Sequence, residues 1–232
     1  MRERPILFSA PMVRAILDGR KTQTRRIVKP QPPAYIDELH GNDLRGRAPY
    51  RLEHDETGAV LGSGFQDDND VFYKCPYGIP GDRLWVRETW CRKLDDGCFV
   101  YNAEGNLDAS CCHYRADGYH VAKDDGDGGT EYTKSGREAS PWSPSIHMPR
   151  WASRITLEVV AVRVERLQDI TADDAKSEGV EVCKHFADAN KGHPLDPHRV
   201  AFAWLWNTIN GSDAWIANPW VWVVEFKKLE KS

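Results

Sequence analysis

Residues 155–167 read ITLEVVAVRVERL, and two interleaved apolar sets run through them. On an extended chain Ile155, Leu157, Val159 and Ala161 fall on one face and Val160, Val162 and Val164 on the other, because strand side chains alternate with period two. Branched residues on both sides predict a long strand, near 154–166, buried on much of both faces like a barrel wall. The residues after it predict a short helix over 171–178. Thr171 suits the N-cap, Asp174 stands three residues on as its acidic capping-box partner, and Gly179 ends the turn.

Further elements lie outward from this pair. PWVWVVEFKKLE at the C-terminal end alternates as a strand near 219–227 that can return to seal a sheet. Towards the N-terminus, Met12, Val13, Ile16 and Leu17 share a face, with Pro11 suited to a first turn and Gly19 to a C-cap, so a helix is expected over 11–18. It leads into KTQTRRIV, a strand near 21–28, which Lys29-Pro30-Gln31-Pro32-Pro33 ends. Pro80-Gly81-Asp82 makes a turn before a strand at 83–88, and a second amphipathic helix is expected at Pro197–Asn210. Residues 34–70 are polar and glycine-rich, read as loops with room for a hairpin. The stretch from 95 to 145 contains Lys123-Asp-Asp-Gly-Asp-Gly-Gly129, a linker-like composition. The reading is an α+β chain, one domain over 1–232 with insertions at about 34–70 and 95–145.

A formal charge of −4 and a pI near 6.1 exclude a protein that coats nucleic acid by bulk charge. Cations nevertheless crowd residues 1–30, where Arg2, Arg4, Arg14, Arg20, Lys21, Arg25, Arg26 and Lys29 face only Glu3 and Asp18. Any nucleic-acid contact is therefore local. No apolar run reaches the length of a signal peptide or membrane span, so the expectation is a cytoplasmic chain without a membrane partner. The six cysteines include no CxxC pair, and reduced thiols are the default in that compartment. A zinc site from Cys111, Cys112 and His113 with Cys98, Cys183 and His185 is the lesser alternative, so no metal and no cofactor are expected.

The chemistry concentrates in Gly19–Arg26, GRKTQTRR, with four cations and two hydroxyls. A solvated strand end, a phosphate anchor and a catalytic Lys–Thr pair all fit that composition. A threonine hydroxyl becomes a nucleophile when an adjacent base takes its proton, and a lysine serves as that base when burial and neighbouring cations favour its neutral form. Lys21 and Thr24 fall on opposite faces of a regular strand, so joint action requires a turn, bulge or strand start between them. Read singly, Lys21 is a solvated side chain, Thr24 a strand former and Glu178 a surface residue.

Taken together, ILDGRKTQTRR, PGDRLWV, the long strand followed by LQDITADDAKSEGV, and the terminal WVVEF resemble the ASCH domain family, whose fold is a small β-barrel of the PUA type with short helices at its mouth. Larger members with a block comparable to HMPRWASRI are often phage- or prophage-encoded; residues 34–70 and 95–145 have no counterpart in compact members and make a long irregular insertion. Compact members with a G-[RK]-K-T-x-T-x-R motif are amidohydrolases that remove the acyl group from N4-acetylcytidine. The resemblance implies Lys21, Thr24 and Glu178 as the catalytic residues. It implies substrate or nucleic-acid contacts for Arg26. Arg20 and Arg25 have the fork for a phosphate or a base edge, and His147 and Trp151 offer a proton carrier and a stacking ring. The partner is then a modified nucleoside or a nucleic acid, RNA rather than DNA. A reader module that binds without catalysis is the competing class, and a ribonuclease the third.

Overall fold

The computed structural model describes residues 1–32, 51–54, 60–66, 72–92, 94–95, 98–99, 101–118, 142–190, 192 and 194–230, with backbone alone at 51–54, 60–66, 72, 94–95, 98–99, 184–185 and 189. The chain is mixed α+β. Strands β1 (Glu3–Leu7), β2 (Gln23–Ile27), β3 (Arg51–His54), β4 (Val60–Gln66), β5 (Phe72–Lys74), β6 (Arg83–Arg87), β7 (Trp90–Arg92), β8 (Leu94–Asp95), β9 (Cys98–Phe99), β10 (Cys112–Tyr114), β11 (Thr156–Arg166) and β12 (Trp220–Lys228) are joined by four helices. These are α1 (Ala10–Leu17), α2 (Ala172–Ser177), α3 (Lys184–Ala189) and α4 (Pro197–Asn210). The five-stranded sheet has the order β1-β6-β11-β12-β2. Among the described residues its end strands β1 and β2 are not paired with one another. No helix among them is long and apolar enough to cross a membrane.

The chain divides into two compact units: 1–4, 15–84 and 157–232 form the first, 5–14 and 85–156 the second. In the first, β11, β12 and β2 pair antiparallel. The start of β6 joins them through Val159 N–H to the Asp82 carbonyl at 2.9 Å. Leu167, Ile170, Ala175, Phe202, Trp206, Val221 and Val223 pack into one apolar cluster between sheet and helices. The insertion expected at 34–70 contributes β3 and β4, which pair with β5 just beyond it in a three-stranded meander; residues 33–50, 55–59 and 67–71 lie outside the described set.

One feature of β11 departs from the expectation. The register shifts between Val159 and Ala161, and Val160 is 49% exposed. A bulge puts two residues opposite one and reverses the alternation beyond it. Leu157 and Val159 before the bulge, and Val162 and Val164 after it, therefore lie on the same face, opposite Lys228, Phe226, Val224 and Trp222 in turn. The two apolar sets of the sequence are one buried face interrupted by a bulge. The other face carries Ala161, Arg163 and Glu165.

The second unit is built on Trp90, Ala109, Cys112, Tyr114, Met148 and Ala152. Strand β10, inside the stretch from 95 to 145 read as irregular, pairs antiparallel with β7 just before it; residues 119–141 are outside the described set. The unit holds a buried ion pair: Arg154 grips Glu88 through Nε to Oε1 at 2.9 Å and Nη2 to Oε2 at 3.1 Å. Its guanidinium carbon lies 4.0 Å from the centre of the Tyr114 ring.

Candidate functional site

Three local choices bring the GRKTQTRR stretch against α2. Gly19, at φ +75°, turns the chain out of α1, a conformation glycine adopts without steric cost. The N–H groups of Arg20 and Lys21 both return to the Ala15 carbonyl, at 2.9 and 3.0 Å. Thr22 then bridges two elements, donating to Ser177 O at 2.9 Å while its carbonyl accepts from Phe226 N–H at 2.8 Å. On the other side, α2 opens with the expected capping box, Thr171 with Asp174. It closes at Gly179, whose φ is +82°.

Lys21 makes an isolated antiparallel bridge with Glu178. Its Nζ donates to Glu178 Oε2 at 2.7 Å and to the Glu178 carbonyl at 2.8 Å. Both residues are 3% exposed, so the solvated lysine and surface glutamate suggested by single-residue reading are corrected to a buried ion pair. The cause is the close packing of Gly179: a Cβ there would stand 2.8 Å from Ala15 Cβ and 2.9 Å from Lys21 Cβ. Burial lowers the Lys21 pKa below its ordinary value; Glu178 opposes that shift, and the charges of Arg26 and Arg25 add to it.

The register of β2 against β12 sorts the remaining motif residues. Gln23, Arg25 and Ile27 lie opposite Glu225, Val223 and Val221, while Thr24 and Arg26 lie opposite Val224 and Trp222. The first set therefore shares the Arg163–Glu165 face, where α2 and α4 pack. Arg25 Nη1 donates to Glu178 Oε1 at 3.2 Å, and Nη2 pairs with Glu165 and with Asp174 Oδ2 at 3.4 Å. Gln23 Nε2 reaches Asp174 through its carbonyl at 2.9 Å and Oδ1 at 3.1 Å. Arg163 closes the group, with Nε 3.1 Å from Glu165 Oε2, Nη2 3.0 Å from Asp174 Oδ1, and an ion pair to Glu225. Burial raises the Asp174 carboxyl, but the Arg25 charge and hydrogen bonds from Thr171 and Gln23 outweigh it and leave it below the usual value.

Thr24 is buried on the opposite face, and the hydrogen bonds that join Lys21, Arg25 and Glu178 are made without its hydroxyl. Regular strand begins only at Gln23, so Lys21 stands at the strand start, where strict alternation does not hold. Its charge is felt from both sides of the strand, by Arg25 and by Arg26. Arg26 is half-buried and also acts on Tyr77, whose pKa burial raises. Arg20 lies at the surface, paired with Asp18 at 2.9 Å and Glu181 at 3.1 Å. Beside it a depression of about 360 Å³ is lined by Gly19, Arg20, Thr22, Lys176, Ser177 and Val180; a second, of about 320 Å³, lies between Thr22, Gln23, Asp174, Ser177 and Glu225.

His147 and Trp151 belong to the second unit. His147 is exposed at the end of a 3-10 turn. Trp151 is half-buried and meets Trp90 edge to face at 5.4 Å. Trp90 is 7% exposed and part of the core. Among the described residues no cluster of three or more His, Cys, Asp or Glu is placed to hold a metal; the side chains of Cys98 and His185 lie outside that set.

Sequence reasoning missed Gln23, Arg163, Glu165 and Asp174 as members of the Lys21–Glu178 group. The alternation of Gln23 with Arg25 was the available signal, since both face α2. No family model, curated protein or solved structure matches the chain.

Proposed function

We propose that the chain holds an ASCH-type pocket, on the small PUA-like barrel of that family, and hydrolyses an N4-acylated cytidine to cytidine. The observation that carries this reading is the buried contact of Lys21 Nζ with Glu178 Oε2 at 2.7 Å. It joins two residues 157 positions apart, both of which the family motif implies. A buried lysine whose amine is held by a carboxylate and whose pKa is lowered by burial gives up its proton more readily than a solvated one, as a base in proton transfer must.

In the reaction the Lys21 amine leaves Glu178 and turns round the start of β2 to the Thr24 face, where it takes the proton of the Thr24 hydroxyl as its oxygen attacks the acyl carbonyl. The N4–acyl bond breaks, the departing cytidine amine takes that proton from Lys21, and the acyl group remains as an ester on Thr24. Water then hydrolyses the ester, releasing the carboxylic acid and restoring the hydroxyl. Thr24 lies three residues along the strand from Lys21, on the face that also carries Arg26; the substrate's acyl group occupies that side, with Arg26 at its oxygen.

A reader function has one specific observation in its favour, the depression formed by Arg20, Lys176, Thr22 and Ser177, whose cations and hydroxyls suit a nucleic-acid phosphate. Incubating the full chain with N4-acetylcytidine and separating the products by chromatography decides between the two. Cytidine formation supports the hydrolase, and unchanged nucleoside with salt-sensitive RNA binding supports the reader.

A further inference from the structure

Arg25 stands outside the trio implied by the family motif, yet the contacts of Glu178 depend on it. The two oxygens of that carboxylate are divided, Oε2 to Lys21 and Oε1 to Arg25. The Arg25 side chain is fully buried. It is clamped by Glu165 from β11 and Asp174 from α2. The Phe202 ring of α4 lies 5.9 Å from its guanidinium carbon. The clamp is itself fixed, because Arg163 holds Glu165 and Asp174 together and Thr171 holds Asp174 through the capping box.

We infer that Arg25 is the positioning residue of the centre, pinning one oxygen of Glu178 so that the other meets the Lys21 amine in a single geometry. This rests on the hydrolase reading and adds to it a residue that acts through Glu178. A guanidinium suits the task because its planar fork fixes direction as well as charge. An arginine that served only to staple strand to helix would be satisfied by Glu165 and Asp174; the third contact, to Glu178, links the staple to Lys21.

The charges show what Arg25 does for the lysine. Facing Lys21 are Glu178 from the end of α2 and Arg25 and Arg26 from β2. Facing Arg25 are Glu165 from β11 and Asp174 and Glu178 from α2, with Arg163 and Glu225 completing the network. Lys21, Arg25, Arg26 and Arg163 balance Glu165, Asp174, Glu178 and Glu225 in charge. Removing Arg25 leaves the group with excess negative charge, which favours the protonated lysine. The Lys21 midpoint must then rise, and the low-pH limb of kcat/KM with it.

The test combines kinetics with a titration that needs no substrate. The full chain, labelled at lysine Cε with carbon-13, is titrated by NMR, and the Lys21 resonance is assigned by its loss in Lys21→Met. Arg25→Gln is expected to raise the Lys21 midpoint by about one pH unit or more. It should lower kcat on N4-acetylcytidine by about tenfold to a hundredfold at unchanged KM. Arg25→Lys retains charge without the fork, so it should keep the midpoint and lose kcat. If Arg25→Gln does not fold, Arg25→Gln with Glu165→Gln removes the stranded carboxylate and takes its place in the kinetic assay, where the loss of kcat is still expected because Glu178 Oε1 has lost its partner. An unmoved Lys21 midpoint in Arg25→Gln, or wild-type kcat in either Arg25 variant, overturns the inference. A midpoint that rises in Arg25→Gln while wild type itself releases no cytidine supports Arg25 as the positioner of Lys21 and overturns the hydrolase reading instead.

Discussion

Lys21 Nζ lies 2.7 Å from Glu178 Oε2 and 2.8 Å from the carbonyl of the same residue, with both side chains shielded from solvent. One ammonium thereby satisfies the backbone at the end of α2 and its terminal carboxylate together. Breaking such a pair from one side strands the other charge. Lys21→Met or Glu178→Gln alone should each cost about 3 kcal/mol, whereas the double variant should cost less than their sum, with a coupling of about 1–3 kcal/mol. Urea denaturation of the four proteins measures this cycle.

The lowered Lys21 pKa fixes the sign of a pH dependence. Between that lowered value and the ordinary value of 10.5, the unfolded chain binds a proton that the folded chain does not. Stability therefore rises with pH through the window. The penalty of burying the charged amine is full below the folded value and disappears above the unfolded one. The stability of wild type relative to Lys21→Met should increase from neutral pH towards alkaline pH, as read from paired denaturation curves.

Gly179 fixes the approach of α2 to the motif. At φ +82° a side chain is strained by about 1–2 kcal/mol, and a Cβ there would press on Ala15 Cβ at 2.8 Å and Lys21 Cβ at 2.9 Å. Gly179→Ala should therefore destabilise the chain by about 2 kcal/mol or more. Gly19→Ala, with nothing within 4 Å of the added carbon, should show the conformational cost alone. The difference between their thermal midpoints isolates the packing contribution.

Much of the fold was legible because its signals are local. The capping box of α2, the extent of α4 and the course of β2, β6, β11 and β12 follow from Thr171, Asp174, Pro197 and alternating apolar residues. The bulge at Val160 was not legible, since a valine there reads as one more strand residue; only pairing with β12 reveals the extra position. Burial of Lys21 and Glu178 was likewise hidden, because it depends on Gly179 meeting Ala15 across the chain. Glu3–Leu7, ERPIL, became a strand although its sequence has too few apolar residues for the period to show.

In the second unit Glu88 is 1% exposed and held by both arms of Arg154. Burial raises its pKa, while Arg154 opposes the shift. A carboxyl raised on folding binds more protons in the folded chain, so its contribution to stability falls as pH rises through the window above 4.5. Arg154→Met removes the opposing charge. That variant should lose about 3 kcal/mol at neutral pH and measurably less at mildly acidic pH, where Glu88 takes up a proton. Arg154→Lys should fall between, since it restores charge but not the fork.

The central claim is that Lys21, in contact with Glu178, is the base of a hydrolytic centre. Its most direct test is the initial rate of cytidine release from N4-acetylcytidine by wild type and by Lys21→Met, each confirmed as folded by circular dichroism. Measurable turnover by wild type and a loss of about 10²–10⁴-fold in the variant is the predicted result, the range for removal of a positioned acid–base group. Equal rates for the two folded proteins, or no cytidine from folded wild type, would contradict it.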